Sequence, residues 1–180
     1  MEALECIESR RSVRRFTEEP VTKEQIEAVI SYAKYAPTWK NTQVNRYIAV
    51  IDPDKQAKIA EEAVMGFEGN KKIIMSAPVL IVQTIVDARS GYERDGSFST
   101  SKGTHWQSYD AGIGGQTLSL AAHAMGLGAV IMGIFDEEKI KEIVNVPEGQ
   151  SVAALIALGH PKFVPDAVPR KDVDVILSYQ

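Results

Sequence analysis

A chain of 180 residues, 44% hydrophobic and 24% charged, is long enough to bury one core and too apolar to stay disordered, so residues 1–180 read as a single domain. Its formal net charge of -4 speaks against a chain whose main partner is a nucleic acid, because such domains spread positive charge over a face. The one cysteine, Cys6, can close no internal disulfide, and the opening MEALECIESRR has acids where a signal peptide needs an apolar stretch, so a reduced, cytoplasmic protein is expected.

The first predicted helix spans Glu2 to Ser9. A second runs from Lys23 to Lys34, opened by the capping-box pattern Thr22 to Gln25, with Ile26, Val29, Ile30 and Ala33 on one stripe and Pro37 closing it. Tyr47 to Ile51 is a strand. Asp52-Pro53 then starts a helix carrying Ala57, Ala60, Ala63, Val64 and Phe67. Val79 to Val86 is continuously apolar and β-branched, hence a central strand. A Gly- and Ser-rich loop, Arg89 to Gly103, precedes a small-residue helix over roughly Trp106 to Met125. Ala129 to Phe135 is the third strand, Asp136 caps a short helix with Ile140, Ile143 and Val144, and Ala154 to Gly159 is the fourth strand. The tail, with Pro161, Pro165 and Pro169, reads as non-helical and able to wrap over a neighbour. Two helices, then four strands alternating with helices, make an α+β or α/β sandwich around a four-stranded sheet.

Ala111 to Phe135 contains no Asp, Glu, Lys or Arg, long enough to test as a membrane span. Its six glycines, with Gln116, Thr117, Ser119 and His123, favour a buried helix followed by a buried strand, so no membrane partner is expected. His105, His123 and His160 lie far apart, with no HExxH or CxxC, which leaves a metal site unsupported. The glycine-rich GIGGQT follows no strand, so it is neither a Rossmann nor a P-loop fingerprint.

The unexplained feature is SRRSVRRF, Ser9 to Phe16, with Arg10, Arg11, Arg14 and Arg15 packed together. Two unit charges ~4 Å apart repel by ~4 kcal/mol at an effective dielectric of ~20. Guanidinium groups beside the Ser12 hydroxyl suit a phosphate; a basic turn neutralised by Glu5, Glu8, Glu18 and Glu19 is the alternative. A second polar segment, APTWKNTQVNRYIAV from Ala36 to Val50, places Thr38, Asn41 and Gln43 between a helix end and a strand, where they could bind a polar heterocycle.

With these two segments the chain resembles the FMN-dependent nitroreductase family, in which SRRSVRxF is followed about two dozen residues later by APSxxNxQPWxF. The likeness extends to APVLIV (Ala77 to Val82), to GLGAVIMGIF (Gly126 to Phe135) and to ALGHP followed by Pro169-Arg170. The resemblance implies a nitroreductase-like α-β-α sandwich, its four-stranded sheet mainly antiparallel and flanked by helices, with an extended C-terminal tail embracing the partner subunit. It implies FMN held by Arg10, Arg11, Ser12, Arg14 and Arg170. It also implies a homodimer with shared sites, so that Pro37, Thr38, Trp39, Asn41 and Gln43 reach the flavin of the other chain. The backbone at Met132 and Gly133 would face the ring, and Asn70 and Lys72 would add contacts. NADH or NADPH would be the reductant, a small nitroaromatic or quinone the acceptor, and Arg14 a stabiliser of charge on the ring, with no protein nucleophile or metal.

The family's usual Pro-Trp is Val44-Asn45 here and its Ser is Thr38. Its basic residue two before the tail arginine is Val168, for which Arg11 or Lys171 could compensate. Trp39, Phe98 and Trp106 could wall the ligand or simply pack in the core; the Arg89 to Gly103 loop could serve as a lid. The same fold could run reductive dehalogenation, double-bond saturation or flavin destruction, and a non-catalytic module binding a phosphorylated ligand is the other alternative.

Overall fold

The computed structural model describes residues 1–180. Four strands, β1 (Asn45–Val50), β2 (Val79–Val86), β3 (Gly128–Met132) and β4 (Gln150–Gly159), form one sheet in the order β1-β2-β4-β3. Every pairing is antiparallel, with Tyr47 opposite Gln83, Leu80 opposite Ala157 and Met132 opposite Leu155. Side chains alternate between faces with period two, and both faces of the sheet are covered. On one, Leu80, Val82, Met132 and Leu155 pack against α3 (Pro53–Glu62), α4 (Glu68–Ser76) and α6 (Glu137–Val144) through Ile59, Ile74 and Ile140. On the other, Val79, Ile81, Ile156 and Leu158 meet α2 (Lys23–Ala33) and the long α5 (His105–Ala124) through Val29, Leu118 and Ala122. The result is the expected α+β sandwich with helices on both sides.

Local chemistry explains the element boundaries. The Thr22 side chain accepts from Gln25 N–H while the Gln25 side chain accepts from Thr22 N–H, a reciprocal cap worth about 1 kcal/mol. Asp52 and Asp136 cap α3 and α6 by one-way bonds, their side chains accepting from Asp54 N–H and Lys139 N–H. Close approach of α5 to the sheet depends on Gly114, where an added Cβ would lie 2.6 Å from the Asn45 side chain. The segment after α1 (Ala3–Ser9) runs along the β3 edge, with Val13 N–H donating to Ala129 O at 3.0 Å and Ser12 bridging Ala129 in parallel.

Several boundaries differ from the sequence reading. The helix expected to continue to Phe67 ends at Glu62, because Met65 and Gly66 turn through positive φ, and a separate α4 follows that periodicity did not reveal. Strand β1 starts at Asn45 rather than Tyr47, and β4 at Gln150 rather than Ala154, extensions carried by polar residues that pair through their backbones. Strand β3 stops at Met132, so Gly133, Ile134 and Phe135 belong to the turn before α6. The tail holds one helical turn, α7 (Val173–Ile176), beyond the last of its prolines.

Candidate active site

Arg10 caps the C-terminus of α1, donating its backbone N–H to Cys6 O at 3.1 Å. Arg11 Nη1 donates to the carbonyls of Glu8 and Arg10 at 2.6 and 2.9 Å, and Arg14 Nη1 to that of Ser12 at 3.2 Å. No arginine of the chain forms an ion pair; the carboxylate partners are all lysines or His160. None of Glu5, Glu8, Glu18 and Glu19 pairs with an arginine: Glu19 faces His160 at 3.5 Å instead. Arg10, Arg11 and Arg170 line one cavity of about 420 Å³ together with Ile7, Glu8, Ala167 and Val168. The Nε of Arg10 is buried and has no partner, an arrangement that costs free energy unless an acceptor arrives. Ser12 and Arg14 line a separate cavity of about 280 Å³ with Arg15, Phe163 and Pro165.

Next to this segment, His123 of α5 lies 2.8 Å from Ser9 Oγ, and Ser9 gives its own proton to Glu5 O, so the imidazole is a satisfied one. Burial, together with Arg10 and Arg11, holds it below the usual histidine range. Past the end of β3, Asn70 is buried and donates from Nδ2 to Ile134 O at 3.0 Å, which places it against the Met132 to Ile134 turn. Gly133 is exposed, with nothing within 4 Å of where its Cβ would be, while the Met132 side chain points into the core. Lys72 is exposed on α4 and makes no ion pair. Of the two compensating cations, Arg11 shares the cavity with Arg170 and Lys171 does not.

The second expected group lies elsewhere. Pro37, Thr38, Trp39, Asn41 and Gln43 precede β1, at the sheet edge opposite β3. Three strand spacings of ~4.8 Å put these edges ~14 Å apart. Along the strands, the turn after Met132 heads toward the Asn45 end, where Asn45 pairs with Ile85 and Ile85 with Ser151, whereas Ser12 bridges Ala129, in register with Leu158 and Val79, so the arginine segment lies at the other end of the sheet. Within one protomer the two halves of the expected site do not meet.

The loop before β1 is tightly shaped. Lys40, Asn41 and Gln43 have φ of 43°, 55° and 49°, and Gln43 N–H donates to Thr38 Oγ1 at 2.9 Å. Asp110, 2% exposed in α5, accepts the Trp39 N–H at 2.9 Å and the Ser90 hydroxyl. Trp39 and Trp106 pack with ring centroids 4.8 Å apart, whereas Phe98 packs on Tyr92 inside the Arg89 to Gly103 loop. That loop has its own hydrogen bonds, Glu93 N–H to Ser97 O and Ser99 N–H to Gly91 O, both 2.8 Å, and Lys40 reaches its Glu93 at 3.3 Å. Asp110, Ser90, Thr42 and Asn45 escaped the sequence reading. One signal was available for the first of them: Asp110 is the last charged residue before the 25-residue uncharged run.

The donor set fits the phosphate end of FMN: three permanent cations, none in an ion pair, share one cavity with the single carboxylate of Glu8, and one of them has a buried donor lacking an acceptor. The exposed Gly133 offers an unobstructed backbone to a flat ring.

Comparison with known proteins bears on the family and the fold. A model described as Nitroreductase family matches residues 7–160. The NADPH-flavin oxidoreductase of Vibrio harveyi is 30% identical over 177 residues, covering 97% of this chain and 72% of that protein. A solved structure of NADPH:FMN oxidoreductase from Vibrio harveyi complexed with NAD+ superposes with a TM-score of 0.80 at 28% identity, covering 98% of this chain and 77% of that one. A nitroreductase family protein from Streptococcus pneumoniae TIGR4 shares the fold at a TM-score of 0.86 and 23% identity, over 99% of this chain and all of that one.

Proposed function

The chain belongs to the nitroreductase family, and from that premise we propose that it is a homodimeric FMN-dependent oxidoreductase, drawing on NADH or NADPH and reducing small electron-poor acceptors such as nitroaromatics or quinones. The observation that carries the reading is the convergence of Arg10, Arg11 and Arg170 on one cavity without a carboxylate partner. The names of the Vibrio harveyi proteins support FMN and NADPH as the ligand types.

FMN, when bound, supplies the two-electron chemistry between nicotinamide and acceptor. The chain's residues bind and orient it. Arg10, Arg11 and Arg170 hold the phosphate through charge-assisted bonds, with the Ser12 hydroxyl beside them. Arg14, anchored on the Ser12 carbonyl, sets a permanent positive charge where the ring's electron-rich edge would lie. Asn70 fixes the Met132 to Ile134 turn by its bond to Ile134 O, so the Gly133 backbone keeps its open face. Lys72 is assigned to the flavin periphery.

The separation of the two groups within one protomer, three strand spacings of ~4.8 Å across the sheet and, for the arginines, the opposite end of its strands, supports shared sites: a second copy would bring its Pro37 to Gln43 loop, with Thr38, Trp39, Asn41 and Gln43, against the arginine side of the first. The exposed Val173, Val175, Ile176, Leu177 and Tyr179 fit a tail that embraces that copy. We take residues 1–180 as one domain working in the cytoplasm; no helix is long and apolar enough to cross a membrane.

The test is FMN titration of the purified protein. Arg10→Ala should weaken binding roughly 10- to 150-fold, the loss of one charge-assisted contact of ~1.5–3 kcal/mol, with the thermal unfolding of the apoprotein unchanged. FMN affinity unchanged from the wild type in both Arg10→Ala and Arg170→Ala would defeat the assignment.

A further inference from the structure

A buried carboxylate with no cation beside it needs a reason, and Asp110 has none within the arginine site. It is 2% exposed and joins no ion pair. Its Oδ2 accepts from Trp39 N–H at 2.9 Å and from the Ser90 hydroxyl. Ser90 gives its only proton to Asp110, so the 3.1 Å contact between Ser90 Oγ and Thr42 Oγ1 has Thr42 as donor. One carboxylate thus holds Trp39 directly and Thr42 through Ser90. Between and beside these anchors lie Lys40, Asn41 and Gln43, all in the left-handed region, which non-glycine residues keep only where surrounding contacts over-determine the backbone. The backbone carbonyl of Asp110 also accepts from Asn45 Nδ2 at 3.1 Å, and Asn45 Oδ1 from Gln83 Nε2 at 2.9 Å, so the start of β1 is pinned at the same point.

We propose that Asp110 is a positioning residue that sets the Thr38 to Gln43 loop in the shape that completes the flavin site of the other subunit, and that couples that loop, through Ser90, to the Arg89 to Gly103 segment. The inference rests on the FMN reading above and adds a direction to it: Asp110 acts in trans. Both donors meet the one oxygen, Oδ2; an amide oxygen in its place is a neutral acceptor, which holds both more weakly than a carboxylate does.

The experiment uses co-expressed dimers carrying different tags and measures FMN binding by quenching of flavin fluorescence, without turnover. The Asp110→Asn homodimer should bind FMN at least about tenfold more weakly than the wild type. A mixed dimer of one Asp110→Asn and one Arg10→Ala protomer should regain a single tight site, because the arginines of the first and the loop of the second are both intact and meet. Two weak sites in the mixed dimer, or an Asp110→Asn homodimer that binds like the wild type, would overturn the proposal. Wild-type binding by the Arg10→Ala homodimer would instead overturn the phosphate assignment, so the two failures are distinct. Should Asp110→Asn not fold, Ser90→Ala, which keeps the bond to Trp39, enters the same mixing with the same supporting and overturning results.

Discussion

Replacing Gly114 with alanine tests how the long helix is seated on β1, the strand that follows the Thr38 to Gln43 loop. The new Cβ would lie 2.6 Å from Asn45 Cγ, closer than packed atoms tolerate, so Asn45 must rotate. It is not free to do so: Nδ2 donates to Asp110 O at 3.1 Å and Oδ1 accepts from Gln83 Nε2 at 2.9 Å. Losing both bonds costs about 1 kcal/mol each, and residual overpacking adds about 1–3 kcal/mol. Alanine in a helix interior returns about 1 kcal/mol relative to glycine. The net destabilisation is about 2–4 kcal/mol, which in urea, with an m-value near 2 kcal/mol/M, moves the midpoint down by about 1–2 M. Apoprotein at one fixed concentration is the sample, since dimerisation and FMN both shift apparent stability. In an Asn45→Ala background the obstacle is gone, and Gly114→Ala should become neutral or stabilising. An unchanged midpoint in the wild-type background, or an equal loss in both backgrounds, would refute the reasoning.

Leu155, fully buried at the centre of β4, should lose about 2–5 kcal/mol on truncation to alanine, read from the same urea transitions. Burial pushes the Tyr47 phenol up from an ordinary 10.0 to about 12, and its hydroxyl is buried without a partner. The unfolded chain therefore ionises first, so this group's contribution to stability is complete below pH 10 and is lost as pH rises toward 12. Tyr47→Phe should remove that part of the alkaline fall and match or exceed wild-type stability by up to about 1 kcal/mol at neutral pH; a loss at neutral pH in thermal melts would show a missed hydrogen bond. FMN affinity should fall with added salt, and less steeply in Arg170→Ala, because one fewer cation then faces the phosphate; identical salt slopes would remove Arg170 from the site.

Strong periodicity and explicit caps made much of the fold legible. The α2 stripe, its capping box and the continuously apolar β2 needed no tertiary information to read. What failed was local and polar. The break at Met65 and Gly66 depends on positive φ in a methionine, which no residue preference announces, so α4 was merged or lost. Gln150, Ser151 and Asn45 join strands through backbone pairing while their side chains bond across the sheet, a role apolar patterning does not register. For the site, the arginine cluster was conspicuous because uncompensated charge is improbable in a short segment, and the family resemblance placed Arg170 with it across 160 residues of chain. Asp110 was hidden because its function lies in contacts to Trp39 and Ser90, 71 and 20 residues away, neither of which has a partner-specific signature.

Anaerobic mixing of the FMN-loaded protein with a reduced nicotinamide is the most direct measurement of the central claim. Bleaching of the visible flavin absorbance with NADPH or NADH, followed by its return when a quinone is added, is the predicted result. A flavin spectrum indifferent to both nucleotides would contradict the account and leave the arginines as the anchor of a binding protein.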